Sequence, residues 1–249
     1  MATGTIEFAA PIAGLQFEPF EVSNTHPAVE KIVLKAQDER LNIVFHLHNV
    51  FDFEEATVIA NPILHSIVNR LAFHRNVPMG EPRFIGGSLP KDASGSSHMV
   101  RIDRLLLWDH TASVLTLGKD TCQELARLLE KPDMHEPLYS AYRFAGNQKD
   151  HVTRFMFLYN ILLQLKGDKQ QQVDNFIRSE LPSVPESPRP DRPNKMETAY
   201  TRLRNQVGHV RSGTTSEQTR KEIEDNVTAF QELVRTAISR VVYSVGQNS

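Results

Sequence analysis

Reactive and hydrogen-bonding side chains are densest in the stretch Tyr200-Thr201-Arg202-Leu203-Arg204-Asn205-Gln206-Val207-Gly208-His209-Val210-Arg211. On a helix advancing about 100° per residue, Leu203, Val207 and Val210 form one apolar flank, joined by Ala199 and Tyr200. Arg202, Asn205 and His209 fall within about 60° of one another on the opposite flank. Guanidinium, amide and imidazole groups in one row can donate to phosphate oxygens, and imidazole also moves protons near neutral pH. Gly208 lets the backbone loosen or another chain approach. The stretch predicts a phosphate-contacting edge, against the plainer reading of an amphipathic helix with a solvated basic face.

Other groupings are poorer in chemistry. His46 and His48 share one strand face at metal-ligand spacing, but without an evident Asp, Glu or Cys partner they predict a strand-face pair and no metal site. Asp103, Asp109 and His110 lack a nucleophile on its elbow. Gly86-Gly87-Ser88 lacks the Lys-Ser/Thr and the helix of a phosphate loop. No cofactor is expected.

A chain of 249 residues, 40% apolar and 23% charged, can bury a substantial core in one or two globular domains. Its one cysteine, Cys122, excludes an intrachain disulfide and a Cys-rich zinc site and suits a reducing cytosol. No basic leader opens the sequence, and Glu7 and Glu18 interrupt the first apolar residues. The most apolar segment, Phe155 to Leu165, carries Asn160 and Gln164 and is too short to span a bilayer. A cytoplasmic protein with no membrane partner is expected.

The net charge of −2 hides an asymmetry. Residues 1–117 carry 9 Lys+Arg against 13 Asp+Glu, whereas residues 118–249 carry 19 against 17. A chain with a net charge of −2 does not predict DNA as a partner. Within 182–211, six basic residues face three acidic ones, a local patch able to hold a strand or loop of RNA. Tyr200, Arg202 and Arg211 are its candidate RNA contacts.

The fold class is α+β, with a β-rich mixed N-terminal module over 1–117 and a helical bundle over 118–249. Leu41, Ile43, Phe45 and Leu47 alternate with more polar neighbours, which predicts a half-buried strand. Residues 17–22 and 32–36 repeat the pattern more weakly. Ala56, Ile59, Ile63, Ile67 and Leu71 then predict a helix over 54–74, kinked or broken at Asn61-Pro62. A strand at 82–86, a flexible loop through Gly86, Gly87, Pro90 and Gly95, and a hairpin of 99–108 with 113–117 complete the module.

From Gly118 the period becomes helical. Thr121-x-x-Glu124 has the form of a capping box, and Pro137 can open a second helix reaching Ala145. Asp150–Lys166 is apolar nearly all round, which predicts the central, most buried helix. A shorter helix carries Val173, Phe176 and Ile177. Five prolines within 182–194 predict an extended, mobile crossover. The last helix opens at Thr215-x-x-Gln218 and carries Ile223, Val227, Phe230, Val234, Ala237 and Val241 in register.

Arg204-x4-His209, with Asn205 after the arginine, resembles the R-x(4–6)-H motif of HEPN domains. These are helical bundles, many of them metal-independent ribonucleases that act as dimers. Arg40 to His46 and Arg104 to His110 also fit the spacing, but lie in strand-like stretches. The wording Phe157-Leu158-Tyr159-Asn160-Ile161-Leu162, then Gly167-Asp168-Lys169-Gln170 with Val173-Asp174, then Glu197 through Arg211, is similar to the methylamine-utilisation MauJ family. That likeness covers residues 150–213 and only loosely the β module.

The resemblance implies an all-α HEPN-like bundle, a homodimer and RNA transesterification, in which a ribose 2′-OH attacks the adjacent phosphate and leaves a 2′,3′-cyclic end. It implies proton transfer by His209, stabilisation of the phosphorane oxygens by Arg204, and orientation of the imidazole or phosphate by Asn205. On a regular helix Arg204 and His209 lie about 140° apart, so the implied site is composite, formed across a two-fold axis. Two alternatives stand beside it. One is a non-catalytic accessory protein whose bundle dimerises or binds RNA or a partner; the other is a small-ligand sensor whose N-terminal module controls the bundle.

Overall fold

Alternating side chains build the sheet at the start of the chain. The computed structural model describes residues 3–91, 95–100, 114–131, 134–208 and 214–244. Its first strands are β1 (Thr3–Pro11), β2 (Leu15–Val22), β3 (Val29–Gln37) and β4 (Arg40–His48). β4 buries Leu41, Ile43, Phe45 and Leu47 and leaves the residues between them half-buried, as the alternation predicts. Ile6 of β1 and Ile32 of β3 flank Phe45 from either side, so the apolar rows share one face.

α1 (Phe53–Arg75) packs on that face through Ala56, Ala60, Leu64, Ile67, Val68 and Leu71. Each fully buried leucine or isoleucine contributes about 1.5–3 kcal/mol. The Asp52 carboxylate caps the helix by accepting the Glu55 N–H at 3.0 Å, and Asn76, at φ 50°, ends it. The break expected at Asn61-Pro62 does not occur: α1 is one helix of 23 residues with Pro62 inside it. Proline removes the bond to the Val58 carbonyl, but Val58 is 69% exposed, so water can take the freed oxygen.

β5 (Arg83–Lys91), β6 (Gly95–Val100) and β7 (Leu115–Leu117) complete a seven-stranded sheet of order β6-β5-β1-β4-β3-β2-β7. Among the described residues only the β2–β7 pair is parallel. The flexible loop expected through Gly86, Gly87, Pro90 and Gly95 is therefore corrected to two paired strands. Glycine is required at position 87, where a Cβ would lie 2.6 Å from the Thr5 carbonyl and 2.9 Å from the Phe53 ring. Of the expected hairpin of 99–108 with 113–117, Met99 and Val100 pair instead with β5 and Leu115–Leu117 with β2, while residues 101–113 lie outside the described residues.

α2 (Lys119–Glu130) starts after Gly118, which caps it without a side-chain bond. Thr121 thus lies inside the first turn and is not the cap that the Thr121-x-x-Glu124 pattern suggests. α3 (Glu136–Gly146) follows. The chain divides into two compact units, Met1–Arg143 and Phe144–Ser249. The change from strand to helix falls at Gly118, yet the first unit runs further. Cys122, Leu125 and Leu129 of α2 belong to the sheet's core, and Arg143 donates to the Gly80 carbonyl at 2.9 Å and to Glu81 at 2.8 Å.

The second unit holds α4 (His151–Leu165), α5 (Gln170–Glu180), β8 (Glu186–Arg189), β9 (Arg192–Thr198), α6 (Ala199–Gly208) and α7 (Ser216–Ser244). The Thr215-x-x-Gln218 capping box is present, with the Gln218 N–H donating to Thr215 Oγ1 at 3.1 Å and the Thr215 N–H to Gln218 Oε1 at 3.0 Å. Two expectations are corrected. The segment 182–194 is not a free crossover: β8 and β9 pair antiparallel, Arg178 of α5 holds Glu186 at 2.6 Å, and the unit is not all-α. Prolines fit because each strand of a two-stranded ribbon keeps one unpaired edge. Nor is α4 buried all round in the single chain, since Phe157, Asn160 and Gln164 share an exposed flank. Among the described residues no helix is long and apolar enough to cross a membrane.

Candidate functional site

Thr198, at the end of β9, sets the start of α6. Its Oγ1 accepts the Thr201 N–H at 3.4 Å and donates to Asp174 Oδ1 at 2.7 Å, which also accepts the Thr198 N–H at 3.0 Å. Asp174 is buried on α5, where its charge complements the positive end of α6. One turn into α6, the buried Thr201 hydroxyl lies 3.0 Å from the Tyr159 hydroxyl of α4.

Burial pushes the Tyr159 phenol up to about 12, only partly offset by its bond to Thr201. Tyrosine in the unfolded chain ionises near pH 10, so the neutral phenol contributes stability that is intact below about pH 10 and lost as pH rises through about 12. The loss amounts to about 2–3 kcal/mol for this group. Denaturant unfolding at about pH 9 and about pH 11.5 should show a smaller alkaline loss in Tyr159→Phe than in the wild type, and equal losses would contradict the assignment.

Asn205 joins the motif to the buried interior. Its Nδ2 donates to Glu197 Oε2 at 3.0 Å, and its Oδ1 accepts from Gln170 Nε2 at 3.3 Å and from Arg204 Nη1 at 3.1 Å. Glu197 is fully buried. The Arg204 guanidinium lies over the Tyr159 ring, 5.9 Å from its centroid, in a cation–π arrangement. Among the described residues its one hydrogen bond is the bond to Asn205, and its Nε has no partner. Arg204 is therefore located by its neighbours while most of its N–H donors stay unspent.

Of the six residues expected at the site, Arg204 and Asn205 are brought together, whereas His209 and Arg211 lie outside the described residues. Two RNA contacts are corrected. Tyr200 is 6% exposed and stacked on Phe230, with centroids 4.7 Å apart, so its ring offers no face to a base. Arg202 is engaged by Glu222 of α7 through both terminal nitrogens, one at 3.1 Å, and its charge is neutralised there. It staples α6 to α7.

Sequence reasoning assigned no role to Glu197, Asp174, Gln170 or Tyr159. Asp174 did leave a signal, because it falls among Val173, Phe176 and Ile177 on a helix, where a carboxylate must find donors. His48 has a carboxylate 3.8 Å away, Glu30, which the sequence did not reveal. Among the described residues no three His, Cys, Asp or Glu side chains are grouped to hold a metal ion. Asp103, Asp109 and His110 lie outside the described residues. No family model, curated protein or solved structure matches the chain.

Proposed function

We propose that the chain is a cytoplasmic HEPN-like protein, related to the methylamine-utilisation MauJ family, whose C-terminal unit is a metal-independent endoribonuclease acting as a homodimer. The observation that carries this reading is the state of Arg204: fixed by the Tyr159 ring and Asn205, with donors left for an incoming oxygen. In the proposed reaction His209 takes the proton of a ribose 2′-OH, and the 2′-oxygen attacks the adjacent phosphorus. The P–O5′ bond breaks, the 5′-oxygen takes a proton from water, and a 2′,3′-cyclic phosphate remains. Arg204 meets the non-bridging oxygens, where charge builds up in the transition state. Asn205, tied to Glu197, keeps the guanidinium in place.

The bonds Asn205–Glu197 and Arg202–Glu222 favour a second reading. Motif residues that staple helices suit a non-catalytic bundle that only dimerises or binds RNA or a partner.

Subunit mixing separates the two. Arg204→Ala and His209→Ala are each inactive under the proposal. If Arg204 of one chain works with His209 of the other, half of the exchanged dimers carry one intact site, restoring about a quarter of wild-type cleavage. No recovery on mixing would contradict a composite site, and a wild type that binds RNA without cutting it would support the second reading.

A further inference from the structure

The first unit holds a cavity of about 260 Å³ against α1 and the end of α2. At the roughly 30 Å³ that a water molecule occupies, it has room for a ligand of about nine non-hydrogen atoms. Ile32, Pro62, Ile63, Ile67 and Leu129 give it an apolar wall. Asn24, Thr25 and Ser66 supply polar groups, Glu130 and Lys131 line it from the end of α2, and Arg70 lines it from α1.

Arg70 is the unusual member. It is a cation only 4% exposed. Its Nη1 donates to the carbonyls of Leu129 at 3.0 Å and Lys131 at 2.8 Å, and its Nη2 to that of Leu128. These are carbonyls that the end of α2 leaves without helical partners, and their partial negative charge partly offsets the guanidinium. Three of its five donors are thereby used. The Nε hydrogen is buried and has no acceptor, and no carboxylate pairs with Arg70 among the described residues.

Both carboxylates near Arg70 already accept hydrogen bonds, Glu130 from within the lining itself. Glu130 accepts the Ser23 N–H at 3.1 Å, while Glu136 accepts from Ser66 at 3.0 Å and Asn69 at 2.6 Å. Glu130 and Lys131 both lie in the lining with opposite charges, so Arg70 is the excess positive charge there. A buried cation with an unspent donor, at one side of a hollow with an apolar wall, suits an anion that carries a hydrocarbon body.

We infer that this cavity binds a small organic monocarboxylate, with its carboxylate on Arg70 and its apolar part against Ile63 and Ile67. The inference does not depend on ribonuclease activity, and it gives the N-terminal unit a ligand-binding role of its own.

The test is calorimetric titration of the full-length protein with phenylacetate and hexanoate, with phenylacetamide as the uncharged control. At least one carboxylate should bind, and phenylacetate at least about tenfold more tightly than its amide. Ile63→Trp should abolish binding by filling the cavity. Thr25→Trp at the exposed rim should weaken it severalfold, and serves as the readout if Ile63→Trp does not fold. Failure of both carboxylates to bind at about 10 mM, equal binding of acid and amide, or undiminished binding in the folded variants would overturn the inference.

Discussion

Phe230→Ala should lower stability by about 3–5 kcal/mol. The ring is fully buried on α7, with Tyr200 at 4.7 Å and 25°, Phe155 at 4.9 Å and 39°, and Tyr159 at 6.1 Å and 23° between centroids and planes. Truncation removes the transfer free energy of a benzyl group and leaves a cavity that three aromatic rings on two other helices cannot close together. Each aromatic pair adds about 0.5–1.5 kcal/mol beyond area burial. The effect should reach the candidate site, because Tyr159 and Tyr200 link Phe230 to the elements around Arg204. Urea unfolding followed by circular dichroism measures it, with the partly exposed Phe157→Ala as a control expected to change by less than about 1 kcal/mol. A Phe230→Ala loss no larger than the control's would contradict this account of the core.

The second large effect should appear in RNA cleavage. Arg204→Ala should reduce kcat by about 10²–10³, the cost of losing one preorganised group that meets developing charge. Its effect on folding should be small, since among the described residues the guanidinium makes one hydrogen bond, to Asn205. Arg204→Lys should recover little, because an ammonium has no planar fork. Asn205→Ala should behave differently. It deprives the buried Glu197 of a donor and should cost about 1–3 kcal/mol of stability as well as activity. An Arg204→Ala protein that folds normally and cuts at the wild-type rate would remove Arg204 from the mechanism.

The strands of the sheet's centre were legible because their alternation is a local property: Leu41 to Leu47 could face one side only. β5 was misread as loop beyond Gly86, since glycines weaken a strand signal and only the packed Thr5 backbone and Phe53 ring explain Gly87. The proline-rich ribbon was misread for a similar reason. Proline excludes a central strand, but nothing local says that the segment will pair with itself. At the site, adjacency in sequence already put Arg204 beside Asn205. The carboxylates beneath them could not be read in the same way, because Glu197 and Asp174 meet α6 only through the hairpin and α5. The burial of Tyr200 was implied by its place on the apolar flank, which outweighs its aromatic suitability for RNA.

The most direct test of the central claim is incubation of the purified full-length protein with single-stranded RNA in excess EDTA, followed by analysis of the new ends. The account predicts cutting that EDTA does not inhibit, products ending in 2′,3′-cyclic phosphate, and loss of cutting by at least about 10² in a folded His209→Ala protein. Absence of cutting by the wild type, or cutting that persists undiminished in His209→Ala, would contradict it.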